Sequence, residues 1–282
     1  MKQSQILVLG GKGKTGSRVA ERLRNLGYTN IRIGSRSAMP AFDWENQDSW
    51  SEVVKDVETV YITFQPDLAI PSAVDIIKRF TRLATENGVR KMVLLSGRGE
   101  REAQLCEQVV METAQKWTIV RASWFNQNFS ESVFLDPILS GHVALPRSEA
   151  LEPFTDANDI ADVVVQAIID DKHNGQIYEL TGPRLMTIPQ AVAEIADACG
   201  KNIEFQPLTL EAYVQHLRNF KLPEDFIWLV NYLFEEVLDG RNSSVSSDIE
   251  KVLGRKATDF SEYVKTTAAT GVWGRATEGG RN

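Results

Sequence analysis

The chain has 282 residues, 43% hydrophobic and 24% charged, a balance that excludes fibrous, low-complexity and wholly disordered proteins. Lys and Arg number 31 against 38 Asp and Glu, so the formal charge is −7, and a general nucleic-acid binder, which needs a cationic excess, is not expected. Cys106 and Cys199 and the three histidines (His142, His173, His216) show no metal-ligating spacing, no run nears the ~18 apolar residues of a membrane span, and the opening segment is too short for a secretory signal. The expectation is a cytoplasmic protein without a metal site or membrane anchor.

Ile6-Leu7-Val8-Leu9 reads as a strand buried on both faces. Gly10-Gly11-Lys12-Gly13-Lys14-Thr15-Gly16 follows at once. Val19, Leu23 and Leu26 then recur at helical spacing, Gly27 closes that helix, and Asn30–Gly34 reads as a second strand. Residues 6–34 therefore form a strand–glycine turn–helix–strand unit. In that context Gly10, Gly13 and Gly16 have distinct uses: a tight turn, close approach of backbone to a pyrophosphate, and close helix–strand packing. The helix start presents N–H groups and partial positive charge to phosphate. An ordinary βα turn needs fewer glycines, and the P-loop spacing is not met.

A ribose 2′-hydroxyl is usually held by an acidic residue about 20 positions downstream, whereas a 2′-phosphate needs arginine. No acidic residue lies between Glu21 and Asp43, and Ser35-Arg36-Ser37 ends the second strand. This favours NADP(H) over NAD(H), with Gly10, Gly11, Lys12, Gly13, Lys14, Thr15, Gly16, Ser35 and Arg36 as cofactor-binding candidates. Lys12, Lys14 and Arg36 also read as solvated loop charges.

The alternation continues. Val57–Thr63 is a strand stopped by Phe64-Gln65-Pro66; residues 69–87 are helical; Lys91–Leu95 is a strand closed by Ser96-Gly97-Arg98-Gly99; residues 100–116 are helical; Trp117–Val120 is a strand. The implied fold is α/β, a Rossmann-type doubly wound parallel sheet, with its ligand beyond the carboxyl ends of the strands. After residue 130 come helix 158–170, strand Gln176–Leu180, helix Ile188–Cys199, a strand near 203–206, and helices Leu208–Phe220 and Glu224–Leu238. The predicted organisation is a nucleotide-binding core over 1–135 with 155–182 returning to it, a smaller, mainly helical lobe over 136–154 and 183–272, and a mobile tail over 273–282.

Gly10–Gly16 with Arg36, Leu94-Leu95-Ser96-Gly97, the run Thr118 to Phe129 containing Trp124-Phe125-Asn126-Gln127-Asn128, Phe154 to Asp162, and Tyr178 to Pro183 together resemble the NmrA-like branch of the atypical short-chain dehydrogenase/reductases. The resemblance spans about residues 5–265. It implies NAD(P) binding and one of two activities: reduction of quinones, azo or triphenylmethane dyes or iminium compounds, or redox sensing without turnover. Phe64, Gln65, Pro66, Ser96 and Gly97 would then border the cofactor. One departure is informative. Typical short-chain dehydrogenases pair a serine with Tyr-x-x-x-Lys, but no tyrosine occurs between Gly97 and Arg121, and Glu112 stands four places before Lys116. Alcohol–ketone chemistry, which needs a positioned acid, is therefore disfavoured, as is sugar-nucleotide epimerisation.

The catalytic candidates are Ser96, Trp124 and Asn126, and the substrate-binding candidates are Arg98, Phe125, Trp228 and Tyr232. Each has a structural alternative: a turn serine, a packed aromatic, a satisfied buried amide, a solvated arginine, packing within the helical lobe. The expected partner is a small-molecule electron acceptor, with no nucleic acid and no membrane, and the expected state is monomer or homodimer.

Overall fold

In a computed structural model, described for residues 5–274, the opening apolar run is β1 (Gln5–Leu9), buried on both faces. The glycine turn leads into α1 (Lys14–Asn25), then β2 (Ile31–Gly34), α2 (Trp50–Val54), β3 (Val57–Ile62), α3 (Ala73–Glu86), β4 (Lys91–Gly97), α4 (Arg101–Thr113) and β5 (Lys116–Ala122). After α5 (Leu135–Ser140) and β6 (His142–Leu145) come α6 (Ala157–Ile169), β7 (Gln176–Leu180), α7 (Ile188–Cys199), β8 (Glu204–Pro207), α8 (Leu210–Asn219), α9 (Glu224–Tyr232), α10 (Asp248–Leu253) and α11 (Phe260–Ala269). A π turn, Leu233–Val237, prolongs α9. No helix among the described residues is long and apolar enough to cross a membrane.

The chain divides into two units. The first comprises Met1–Ala122, Ala157–Leu180 and Ser247–Lys256. Its sheet has the order β2-β1-β3-β4-β5-β7 with every pairing parallel. Alternation along the strands sends Leu7, Leu9, Val60, Ile62, Met92 and Leu94 into one core with Ile77, Phe80 and Val110 of α3 and α4. Residues 42–50, which sequence periodicity left unassigned, complete that core. Phe42, Trp44 and Trp50 pack edge-on around Phe80, and the indole N–H groups of Trp44 and Trp50 donate to the carbonyls of Thr63 (3.0 Å) and Asp43 (2.8 Å). Burial of each such ring contributes about 1.5–3 kcal/mol.

The second unit comprises Ser123–Asp156, Thr181–Ser246 and Ala257–Asn282. Its core joins Phe129, Phe134, Phe154, Ile195, Phe260 and Tyr263. β6 and β8 form a two-stranded parallel sheet, and α7 starts at a reciprocal Thr187–Gln190 capping box.

Three boundaries differ from those expected. Residues 123–135 belong to the second unit, because Phe129 and Phe134 bury their rings in its core. Helix α10 belongs to the first: Asp248 accepts from the Glu179 amide (2.9 Å), and Arg255 pairs with Asp159 (2.7 Å) and Asp162 (2.5 Å). Trp273, assigned to a mobile tail, is fully buried and donates to the Phe129 carbonyl at 2.7 Å. The rest of that tail, from residue 275, lies outside the described residues.

Candidate active site

In the first unit the glycine turn has the tightness the sequence predicts. Gly10 adopts φ +61°, and the Gly13 amide donates to its carbonyl at 2.7 Å. Gly16 lies so close to the strand end that a Cβ there would sit 2.3 Å from the Gly10 oxygen. The start of α1 has no side-chain cap and no acidic residue in its first turn, so its amides and dipole favour an anion. Thr15 is buried and accepts from Tyr61 (3.0 Å), a phenol pushed well up by burial.

Parallel pairing of β1 with β2 brings their two following loops together. Lys12 reaches across to donate to Ser37 at 2.7 Å, Ser35 has a buried hydroxyl without a hydrogen-bond partner among the described residues, and Arg36 is exposed between them. An uncapped helix start, a glycine cradle and two cations beside an unpartnered hydroxyl fit a dinucleotide with an additional phosphate.

Phe64, Gln65 and Pro66 follow β3, and Ser96 and Gly97 end β4, the adjacent strand, with Arg98 next after it. Phe64 is buried while Gln65 and Pro66 are exposed. Ser96 does not present its hydroxyl to a ligand; it donates to the buried carboxylate of Glu107 at 2.6 Å. Glu107 also accepts from Nε (2.9 Å) and a terminal nitrogen (2.6 Å) of Arg121, a contact that raises Arg121 further above its ordinary value. Arg121 approaches Glu179 at 3.6 Å, and Arg98, itself buried, donates to Glu179 at 3.0 Å. Two arginines and two glutamates thus neutralise one another beneath the strand ends. Ser96→Ala is expected to cost about 1.5–3 kcal/mol by urea denaturation, the worth of a hydrogen bond to a charged group; no loss would show that the Ser96–Glu107 bond is not made.

In the second unit, Ser123–Asn126 follows β5. Asn126 is fully buried, and among the described residues neither its amide nitrogen nor its amide oxygen has a hydrogen-bond partner; the Ser123 hydroxyl is buried and equally unpartnered there. Groups so placed fit a polar ligand such as a carboxamide. Trp124 and Phe125 are half-buried, and Trp124 stacks on Phe134 (centroids 6.1 Å apart) and meets Phe234 edge-on. Trp228 and Tyr232 stack on each other at 5.6 Å, with Trp228 exposed on α9.

The family model that describes the NmrA-like family matches residues 2–264. The chain belongs to the NmrA-like family. Among its relatives, an uncharacterized oxidoreductase of Bacillus subtilis, YesF, is 28% identical, with 97% of this chain and 99% of that protein covered. An NAD(P)H azoreductase of Xenophilus azovorans is 26% identical, with 94% and 98% covered. The structure of an NADPH-dependent quinone oxidoreductase of Escherichia coli complexed with NADPH superimposes with a TM-score of 0.79 at 18% identity, with 93% and 99% covered.

Glu107 and Glu179, the acids that hold Ser96, Arg98 and Arg121, are the residues that motif reading missed. A signal for one of them was present. Glu107 lies on the buried stripe of α4, between Ala103 and Val110, where an acid needs a cation.

Proposed function

We propose that this NmrA-like protein is an NADPH-dependent reductase that passes hydride directly to a small electrophilic acceptor, such as a quinone, azo or iminium compound, without a Tyr-Lys proton donor. Membership of a family whose relatives are named oxidoreductases and an azoreductase supports the coarser reading, an NAD(P)-dependent oxidoreductase. The observation that carries the finer one is the junction of the glycine turn with Lys12, Ser35, Arg36 and Ser37. Bound there, a nicotinamide dinucleotide supplies the hydride. The residues from Gly10 to Gly16 grip its diphosphate, Lys12 and Arg36 its 2′-phosphate, and Phe64–Pro66 and Gly97 border it. Asn126 and Trp124 hold and orient the reacting groups, Phe125, Trp228 and Tyr232 line the acceptor side, and Ser96 fixes the end of β4 through Glu107. Proximity and orientation are then the protein's main contribution.

Arg36→Ala tests the nucleotide preference by calorimetric titration. A charge-assisted contact is worth about 1.5–3 kcal/mol, so NADPH affinity is expected to fall roughly 10- to 100-fold while NADH affinity changes far less. Equal losses would remove the 2′-phosphate role. A second reading, a nucleotide-binding sensor without turnover, draws on Ser96 being committed to Glu107. Tight NADPH binding with no reduction across a panel of quinones, azo dyes and iminium compounds would favour it.

A further inference from the structure

Two carboxyl groups stand apart from the balanced arginine–glutamate cluster. Asp67 follows Pro66 in the loop after β3 and accepts from the Ala69 amide at 2.8 Å. Glu100 is the N-cap residue of α4, three positions past β4, and is 7% exposed. The negative charge of Asp67 acts on Glu100. Two buried carboxyl groups that act on one another do not both ionise readily, so one retains its proton. Burial, then the charge of Asp67, then those of Glu102 and Glu107 on α4, hold Glu100 well above the usual carboxylate range. Burial raises Asp67 as well, against the opposing effect of the Ala69 amide and of Glu100 itself. Cys106, the thiol near this group, is pushed up to about 12 by burial and by Glu107, Asp67 and Glu100, and so stays protonated. The strongest charges acting on Glu100 are all acidic, so the proton resides there.

Two geometric facts give that proton a use. The Glu100 carboxyl occupies the space of the missing Gly97 side chain: a Cβ on Gly97 would lie 1.9 Å from Oε1 and 2.3 Å from Oε2. Oε2 is buried and has no hydrogen-bond partner among the described residues. An unpartnered buried oxygen costs about 1–3 kcal/mol and calls for an explanation. This one lies against Gly97, between the two loops assigned above to the cofactor border, at the carboxyl ends of the adjacent strands β3 and β4.

We propose that Glu100 is the proton donor of the reaction, the role that tyrosine fills in typical short-chain dehydrogenases, and that Asp67 is the positioning residue that keeps the proton on it. The proposal rests on the reductase reading. Conversion of a quinone to a hydroquinone takes two electrons and two protons. Hydride from the reduced nicotinamide brings both electrons and one hydrogen nucleus. The Glu100 O–H bond breaks as a new O–H bond forms on the acceptor, and solvent returns a proton to the carboxylate left behind. A cationic triphenylmethane dye differs: hydride alone converts it to a neutral product, and no acid is needed.

The test compares these two acceptors in the full-length protein. With Glu100→Gln, quinone turnover is expected to fall about a hundredfold, the usual worth of a general acid, and at least ten times more than turnover of the cationic dye. The quinone rate of the parent should fall as pH rises through the Glu100 value. Asp67→Asn, by removing the neighbouring negative charge, should move that fall to lower pH. A readout independent of turnover is infrared spectroscopy of the unliganded protein, which should show a protonated-carboxyl C=O band at neutral pH that Glu100→Gln lacks. Glutamine has the shape of the protonated acid, so the variant should fold. A raised folded-state pKa means that Glu100 favours the fold fully below its unfolded value of 4.5 and progressively less as pH rises through the folded value. The variant should therefore melt at or above the parent in alkaline buffer. Absence of the band in the parent, or equal losses on both acceptors, would overturn the proton-donor role alone. A parent that binds NADPH and shows the band yet reduces neither acceptor would end the reductase reading and this role with it.

Discussion

The Gly16→Ala protein is expected to bind NADPH roughly a hundredfold more weakly than the parent chain, the loss that an ~1 Å displacement of binding groups commonly produces. The added methyl would lie 2.3 Å from the Gly10 oxygen, 2.7 Å from the Gly10 carbonyl carbon and 2.9 Å from the Gly11 Cα. All three are backbone atoms, so no side chain can swing away, and α1 must withdraw from the end of β1. That motion carries the uncapped amides at the helix start away from the turn formed by the Gly13-to-Gly10 hydrogen bond. Overpacking of this kind also costs about 1–3 kcal/mol of stability, which denaturant titration would register. Parental affinity in a folded Gly16→Ala protein would show that these amides do not grip the ligand.

The second large effect is in stability. Arg121→Met is expected to lose about 3–5 kcal/mol in urea denaturation, because it leaves Glu107, with its side chain 1% exposed, as an uncompensated buried charge. Among the described residues, Ser96 would then be left to hydrogen-bond that carboxylate. The double variant Arg121→Met with Glu107→Met should recover much of the loss, since replacing both members of a buried ion pair by apolar side chains is often near neutral. If the single variant lost less than about 1 kcal/mol, the value of an exposed pair, the network would not be organised around a buried carboxylate.

The sheet and the first helix were legible in the sequence because each depends on local pattern. Ile6–Leu9 suits a strand buried on both faces, and the glycine spacing suits a tight turn behind it. The core of the first unit was less legible at Phe42, Trp44 and Trp50, whose packing around Phe80 depends on chain reversals without period. Unit boundaries failed for a related reason: Phe129, Phe134 and Trp273 choose their core by long-range packing, which no local window records. At the candidate site, motifs located the loops but not the directions of the side chains. Ser96 was found as a residue at a strand end, yet its partner Glu107 lies eleven positions away on a helix. Arg98 read as a substrate contact or a solvated loop charge and is instead buried against Glu179. The Asp67–Glu100 pair was invisible to any motif, because only the adjacency of β3 and β4 brings those two loops together.

The account depends most on a reduced pyridine nucleotide being held at the glycine turn and giving up its hydride. The most direct measurement is single-turnover stopped-flow fluorescence: the parent protein, preloaded with stoichiometric NADPH, is mixed with a quinone in excess. Binding should enhance the nucleotide emission, and that signal should decay on mixing, faster than in a protein-free control. A nucleotide whose emission is unaltered by the protein, or whose decay with quinone matches the control, would contradict the account.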